Sequence, residues 1–135
     1  MKVKLIQIYT NWPVLQKMAS FELEAGAAIR LSRFMVAAQR ELELIENARQ
    51  KLIQRYGKDQ DGTPQVSPEY WNDFLNAFNA ILQDEVEIYD PRLSPGILDG
   101  QRLSAVDFFA LAWLFDRDSE IGLTETIDPE SKREE

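Results

Sequence analysis

The sequence predicts an α+β fold, built from a long antiparallel helical hairpin, a small two-stranded antiparallel sheet packed with it, and a short C-terminal helix. Three observations support this prediction. Apolar residues recur every three or four positions along Ala25–Tyr56, and again along Trp71–Leu82, as amphipathic helices require. Two short segments, residues 2–9 and 85–89, alternate between apolar and charged side chains, as half-buried strands do.

The first helix is predicted from an apolar stripe without an internal proline. The stripe contains Leu31, Met35, Ala38, Leu42, Ile45, Leu52 and Tyr56, with Arg49 as its one break. At about 1.5 Å per residue such a helix is about 48 Å long, so another segment must cover its apolar side. Gly57 ends it, and the turn-rich residues 57–64 are predicted to form an exposed loop.

The second helix is predicted to begin at Ser67-Pro68-Glu69, with serine as the capping residue and proline at the first position. Its stripe contains Trp71, Phe74, Leu75, Phe78, Ile81 and Leu82. These residues make it the antiparallel partner of the first helix. Before the hairpin, Asn11-Trp12-Pro13 indicates the start of a short helix that reaches about Ser20.

The C-terminal helix is predicted at residues 105–115, with Ser104 and Asp107 as a variant capping box. Apolar residues surround this helix, so much of it is expected to be buried. Two interpretations remain open. The helix closes one end of the hairpin core, or Phe109 and Trp113, four residues apart and therefore on one side, dock into another protein chain.

Length and composition predict one domain at residues 1–117, followed by an acidic, flexible tail at 118–135. The chain has 135 residues, of which 44% are hydrophobic and 28% charged, which is typical of a globular protein. Neither an apolar signal-peptide core nor a run of about 18 apolar residues is present, so a cytoplasmic protein without a membrane partner is expected.

Cysteine and histidine are both absent from the sequence. Disulfides, thiolate metal sites and cysteine nucleophiles are therefore excluded, and the commonest general base and zinc ligand is missing. These absences predict a protein that is not an enzyme, with no catalytic residues, no metal and no cofactor.

Two acidic segments were tested as metal sites. If Gly62 took the sixth position of a calcium loop, Gly57 and Pro68 would stand where the acidic first and last ligands belong, so the match fails. A second acidic cluster contains Asp84, Glu85, Glu87, Asp90 and Asp99. Glu85 and Glu87 share one strand face, as in some two-metal enzymes. However, neither lysine nor histidine lies among these acidic residues. They are expected to form a solvated strand face and not a metal site.

The net charge of −8 is unevenly distributed. Residues 1–58 contain ten Lys or Arg against five Glu, a balance of +5, whereas residues 59–116 contain two Arg against eleven Asp or Glu, a balance of −9. The two halves either screen one another or form two opposed binding surfaces. Arg30, Arg33 and Arg40 share one helical side and are candidate interface residues. Nucleic acid is disfavoured as their partner by the acidic total and the interleaved glutamates.

Several segments together resemble a family of small proteins of unknown function encoded by tailed bacteriophages and prophages. The resemblance covers residues 1–115. It lies in the opening strand at 1–5, the helix end Ala48-Arg49-Gln50-Lys51-Leu52-Ile53-Gln54-Arg55-Tyr56-Gly57 and the loop at 58–62. It continues in the helix at 70–82, the strand at 84–88 and a leucine-rich C-terminal helix. The resemblance implies a phage origin and a non-catalytic role.

We therefore expect a non-enzymatic phage protein that acts by protein–protein contact, in virion assembly or as an accessory factor. Its partner would be a phage structural protein, a host enzyme or a second copy of the chain, located in the host cytoplasm or the virion. The alternative is an acidic inhibitor that binds a host enzyme such as RNA polymerase or a nuclease, with charge steering it toward a basic surface. The weakest hypothesis is a carboxylate-metal enzyme.

Overall fold

The structure, a computed structural model, describes residues 1–60 and 63–115; the side chains at 58–60, 63 and 64 are not part of that description. The tail predicted at 118–135 lies outside the described residues. Four α-helices and four short strands follow one another along the described chain. In order they are β1 (Lys2–Lys4), α1 (Leu5–Ala19), α2 (Ala25–Tyr56), β2 (Gly57–Gln60), β3 (Thr63–Val66), α3 (Trp71–Leu82), β4 (Glu85–Glu87) and α4 (Ala105–Leu111).

Three short 3-10 helices complete this order, at Pro68–Tyr70, Pro95–Leu98 and Ala112–Leu114. Contacts divide the chain into two compact units. Unit 1 contains Met1–Trp12 and Val36–Tyr89, and unit 2 contains Pro13–Met35 with the described part of Asp90–Glu135. The α+β class is confirmed. The single domain predicted at 1–117 stays a prediction.

The long helix α2 begins and ends at the predicted residues, Ala25 and Tyr56. Its predicted stripe is buried or half-buried throughout, with Leu31, Ala38 and Ile45 almost fully enclosed. Arg49, the break in that stripe, places its guanidinium 3.1 Å from a carboxylate oxygen of Glu46 one turn earlier. The apolar periodicity alone was therefore sufficient to define this element.

The helical hairpin of unit 1 is formed by the second half of α2 and by α3. Tyr56 and Tyr70 approach at its closed end, with ring centroids 6.1 Å apart. Farther from that end, Ile45 is buried together with Leu82. Contacts that involve earlier residues of α2 thus involve later residues of α3. This order is that of antiparallel helices, as predicted. Leu5 completes this core, and Ile6, Leu42, Phe78, Ile81 and Val86 pack against it.

The predicted pairing between the N-terminal strand and the strand after α3 is confirmed. β1 and β4 are antiparallel, with Lys2 opposite Glu87, Val3 opposite Val86, and Lys4 opposite Glu85. Val3 is buried, whereas the lysines and glutamates are exposed. Opposite charges that face each other across a pair of strands contribute about 0.2–1 kcal/mol, so they favour this register.

The prediction of a strand over residues 2–9 was wrong beyond Lys4, because α1 begins at Leu5. The side-chain oxygen of Gln7 accepts a hydrogen bond from the Lys4 backbone N–H at 3.0 Å, as in one half of a capping box. The Leu5 N–H, which has no partner within the helix, donates to the Asp84 carbonyl at 2.9 Å. These two bonds start the helix eight residues before Pro13.

Pro13 was predicted to begin a helix but lies inside α1. It lacks the N–H that would bond the Tyr9 carbonyl, and an interior proline costs about 3 kcal/mol. The buried stripe of α1, formed by Leu5, Ile8, Leu15 and Met18, offsets this cost. Burial of each such side chain contributes roughly 2 kcal/mol, so burial exceeds the penalty of the proline.

The exposed loop predicted at residues 57–64 was also wrong, because most of it is a β-hairpin. β2 and β3 pair in antiparallel register, from Gly57 opposite Val66 to Gln60 opposite Thr63. A Cβ atom at Gly57 would overlap the carbonyl oxygens of Ile53 and Gln65. Glycine therefore lets the chain leave α2 and begin the hairpin at once. Ser67, the predicted cap of the next helix, makes no side-chain capping bond and is buried.

Candidate interaction surfaces

The short helix α4 of unit 2 is fixed by contacts at both ends. The Ser104 hydroxyl accepts a hydrogen bond from the Asp107 N–H at 3.0 Å, so the predicted capping residue is confirmed. The Asp107 carboxylate lies 3.4 Å from the ammonium of Lys17. At the C-terminal end Leu111 is fully buried. α4 therefore has a defined orientation within unit 2.

Val106 and Phe109 are the two large apolar side chains of α4 that are most exposed to solvent. Val106 is 77% exposed and Phe109 is 83% exposed. They are three residues apart, so they lie on the same side of the helix. The expectation that much of this helix would be buried was therefore wrong for this side. A large aromatic residue held in the open on a capped helix is typical of a binding anchor.

Trp113 does not share the environment of Phe109, although it was predicted to lie on the same side. α4 ends at Leu111, and Trp113 belongs to the 3-10 helix Ala112–Leu114, where the α-helical spacing no longer applies. Its ring centroid lies 6.2 Å from that of Phe34, and its indole N–H is buried and has no hydrogen-bond partner among the residues that the structure describes. Trp113 is therefore placed with the packed side chains of unit 2.

The three candidate arginines of α2 have different surroundings. In unit 2, Arg30 donates from Nε to the Pro91 carbonyl at 2.9 Å in a partly buried position, and Arg33 is exposed. In unit 1, Arg40 is exposed beside a shallow depression of about 270 Å³ that Val36, Gln39 and Glu43 also line. Arg30 thus has a structural contact, whereas Arg33 and Arg40 stay candidate interface residues.

A row of aromatic rings follows α3 in unit 1. Trp71 stacks on Phe74 with centroids 5.7 Å apart, Phe74 stacks on Phe78 at 6.0 Å, and the edge of Tyr9 meets Phe78 at 5.6 Å. Burial falls toward the start of the helix, where Trp71 is 49% exposed. Trp71 was predicted to belong to the buried stripe, but it covers one end of the row and presents its other side to solvent.

The segment that contains α3 is rich in acidic residues. Eight Asp or Glu residues and no Lys or Arg lie between Asp59 and Pro91 in the sequence. Glu69 and Asp73 flank the start of α3 and are exposed. Within the described residues neither of them takes part in an ion pair. The field at this end of α3 therefore favours a cation.

Of the five acidic residues that are candidates for a metal site, Asp84, Glu85 and Glu87 lie on or next to β4 in unit 1, and Asp90 and Asp99 belong to unit 2. Glu85 and Glu87 are exposed on the strand and stand opposite Lys4 and Lys2 of β1. Residues 1–60 and 63–115 contain no group of three or more acidic side chains arranged to hold a metal ion. Within these same ranges, none of the helices combines the length and apolarity needed to cross a bilayer.

Val106 and Trp71 were not predicted from the sequence as surface residues. Position within an element is the signal that could have identified both. Trp71 is the first residue of α3, and Val106 belongs to a helix of only seven residues. Each of these two side chains therefore has few neighbouring helical turns to cover it. Comparisons of the chain with protein-family models, with curated proteins and with solved structures found no match.

Proposed function

We propose that the chain is a non-enzymatic phage protein that acts by contact with another phage protein, in virion assembly or as an accessory factor. The resemblance of residues 1–115 to phage and prophage proteins supports the phage origin. The exposure of Phe109 carries the proposal of protein contact. Burial of such a side chain in a partner contributes about 2–3 kcal/mol, which corresponds to roughly 30–150-fold in affinity.

The proposed docking surface is the exposed side of α4, defined by Val106 and Phe109. Its capping bond and the contact between Lys17 and Asp107 hold this side in place, so little ordering entropy is lost on binding. A partner with an apolar pocket would enclose Phe109, and Val106 would widen the contact by one helical turn. The absence of histidine and cysteine from the chain supports a role without chemistry.

Affinity capture from an extract of phage-producing cells tests this proposal. The tagged wild-type chain is expected to retain a phage protein, and Phe109→Asp is expected to reduce its recovery at least tenfold. Leu44→Asp is the matched control, because Leu44 is 57% exposed on α2 and lies away from α4 in the sequence. Equal recovery by wild type and Phe109→Asp would remove the support for α4 as the docking surface.

A second candidate function is an acidic inhibitor of a host enzyme, and the uninterrupted negative charge of residues 59–91 favours it. Such charge accelerates encounter with a basic surface and is screened by salt. Salt therefore separates the two functions. Capture that is lost between about 50 and 300 mM NaCl supports the inhibitor, because the Debye length falls below about 6 Å. Capture that persists at high salt supports the apolar contact through Phe109.

A further inference from the structure

The exposed side of α3 carries a line of amide side chains. Asn72, Asn76 and Asn79 are exposed, and at 100° per residue they fall within one narrow sector of the helix. Asparagine is a poor helix former and is favoured at caps. None of the three occupies the N-cap of α3, which is Tyr70. Helix stability therefore does not account for this line.

The spacing of the amides matches the repeat of an extended peptide. Asn72 and Asn76 are four residues apart, which is about 6 Å along the helix axis. Two residues of an extended chain span about 6.6 Å. Each asparagine amide offers one carbonyl acceptor and two N–H donors, so it can accept from the N–H and donate to the C=O of one residue of an extended peptide, because these two groups point to the same side. A peptide that lies along the line would thus meet Asn72 and Asn76 at alternate residues, whereas Asn79, about 4.5 Å beyond Asn76, falls short of the next repeat.

Different residues lie on the two flanks of the amide line, and they favour particular side chains of a bound peptide. Because successive residues turn by 100°, Trp71 lies on one flank of Asn72 and Asp73 on the other. Side chains of an extended peptide project alternately to opposite sides. One set would therefore lie against the exposed face of the Trp71 ring, and the other set would approach the Asp73 carboxylate. Lysine and arginine suit both environments, by cation–π contact and by ion pairing.

The charge near the start of α3 also favours a basic peptide. A helix N-terminus carries about half a positive charge, which by itself would repel a cation. Glu69 and Asp73 contribute two full negative charges at this end and outweigh it. Nucleic acid is repelled by the same carboxylates. An apolar helix would leave the amide groups of the line without partners, at a cost of about 1–3 kcal/mol for each buried group.

We propose that the exposed side of α3 binds an extended segment of a partner protein that is rich in arginine or lysine, with Asn72 and Asn76 bonding its backbone. This inference rests on the second proposed function, because it names the chemistry of that partner. It uses residues of unit 1 alone. It can therefore fail while contact through Phe109 of unit 2 holds.

Fluorescence anisotropy with three labelled peptides tests the proposal on the whole chain. The probes are hepta-arginine, hepta-arginine with N-methyl groups on alternate backbone nitrogens, and hepta-glutamate. Hepta-arginine is expected to bind at 50 mM NaCl and to weaken at least fivefold at 300 mM. The methylated peptide has the same charge but fewer backbone donors, so it is expected to bind about fivefold more weakly. Equal binding of both arginine peptides would overturn the role of the amides.

Variants locate the binding site. Asn76→Ala is expected to weaken hepta-arginine about fivefold and Trp71→Ala about tenfold. Asn47→Ala is the matched control, because Asn47 is an exposed amide on α2 of the same unit, and it is expected to change nothing. Alanine is a better helix former than asparagine, so melting temperatures should not fall in the asparagine variants. Equal losses in Asn76→Ala and Asn47→Ala, or binding of hepta-glutamate, would contradict the proposal.

Two further measurements exclude other occupants and separate this proposal from the Phe109 contact. Sedimentation measures self-association of the chain. The wild-type chain is expected to show no self-association that depends on Asn76, and therefore none that Asn76→Ala abolishes. If it does show one, a second copy covers α3 and the proposal is wrong. Phe109→Asp is expected to bind hepta-arginine with unchanged affinity. Loss of peptide binding in this variant would place the peptide elsewhere on the chain and also contradict the proposal.

Discussion

Phe108 packs its ring against that of Phe115, with centroids 5.6 Å apart, while the next residue, Phe109, extends into solvent. Two adjacent phenylalanines of one helix therefore differ in exposure, because Phe108 is 39% exposed and Phe109 is 83% exposed. Phe115 is buried and takes part in a parallel bridge with Leu93, so Phe108 is joined to the core of unit 2. The same substitution made at Phe108 and at Phe109 therefore distinguishes a structural role from a binding role.

Phe108→Ala is expected to lower the free energy of unfolding by roughly 2 kcal/mol, because its ring contact is lost while part of the side chain is already exposed. Phe109→Ala is expected to change it by less than about 0.5 kcal/mol, as for other exposed positions. Urea denaturation of both variants measures the difference. A loss of stability in Phe109→Ala as large as in Phe108→Ala would show that Phe109 is a packed residue.

The hairpin core of unit 1 can be tested with an adjacent pair on α2. Ile45 is buried with Leu5 and Leu82, whereas Leu44 is exposed. Ile45→Asp would bury an unpaired charge, at a cost of several kcal/mol, and is expected to abolish cooperative melting. Leu44→Asp is expected to melt within a few degrees of the wild type. Circular dichroism at 222 nm follows both, and a cooperatively folded Ile45→Asp variant would mean that the packing of α2 against α3 is misassigned.

The junction between α2 and β2 depends on the absence of a side chain at Gly57. A methyl group there would overlap the carbonyl oxygens of Ile53 and Gln65, so Gly57→Ala is expected to cost about 2 kcal/mol. Gly96→Ala is the control, because its nearest neighbour would be the Ser94 hydroxyl oxygen at 3.8 Å, an ordinary contact. That variant is expected to be neutral or slightly more stable. Thermal melts that rank the two variants in the opposite order would refute the assigned junction.

Ser94 and Ser104 each precede a helical segment in unit 2, but only the Ser104 side chain caps the segment that follows it. The Ser104 hydroxyl accepts the Asp107 N–H, whereas Ser94, before the turn Pro95–Leu98, makes no side-chain capping bond. Ser104→Ala is expected to lower the free energy of unfolding by about 1 kcal/mol, and Ser94→Ala by only a few tenths. Chemical denaturation distinguishes these values. Equal free energies of unfolding in the two variants would show that the Ser104 cap does not stabilise α4.

The sequence predicted the elements whose signal is long or paired. The apolar periodicity from Leu31 to Tyr56, broken only at Arg49, defined α2, and alternating charges at Lys2, Lys4, Glu85 and Glu87 defined the sheet with its partner strands. Residues 5–9 were misassigned because Ile6 and Ile8 fit a strand and a helix equally well over so short a run. The hydrogen bond from the Leu5 N–H to the Asp84 carbonyl and the burial of Leu15 and Met18, which favour a helix, are tertiary features that the local pattern does not contain.

The β-hairpin after α2 could have been recognised. Asp61-Gly62 is a dipeptide that favours two-residue hairpin turns, but Pro64 and the many polar residues around it led to the prediction of a loop. The site was predicted only in part. Phe109 was identified as a candidate, whereas the exposure of Trp71 and the packing of Trp113 depend on where neighbouring turns end. Such ends are the least certain part of any prediction from periodicity.

In-cell photocrosslinking from position 109 tests the central claim, protein contact through α4, most directly. A photoreactive phenylalanine analogue replaces Phe109 in one strain and Leu44 in another, and adducts are identified by mass spectrometry after irradiation. The account predicts one dominant protein adduct from position 109, absent from position 44 and diminished by Val106→Asp. Equal adducts from both positions, or none from position 109 in phage-producing cells, would contradict it.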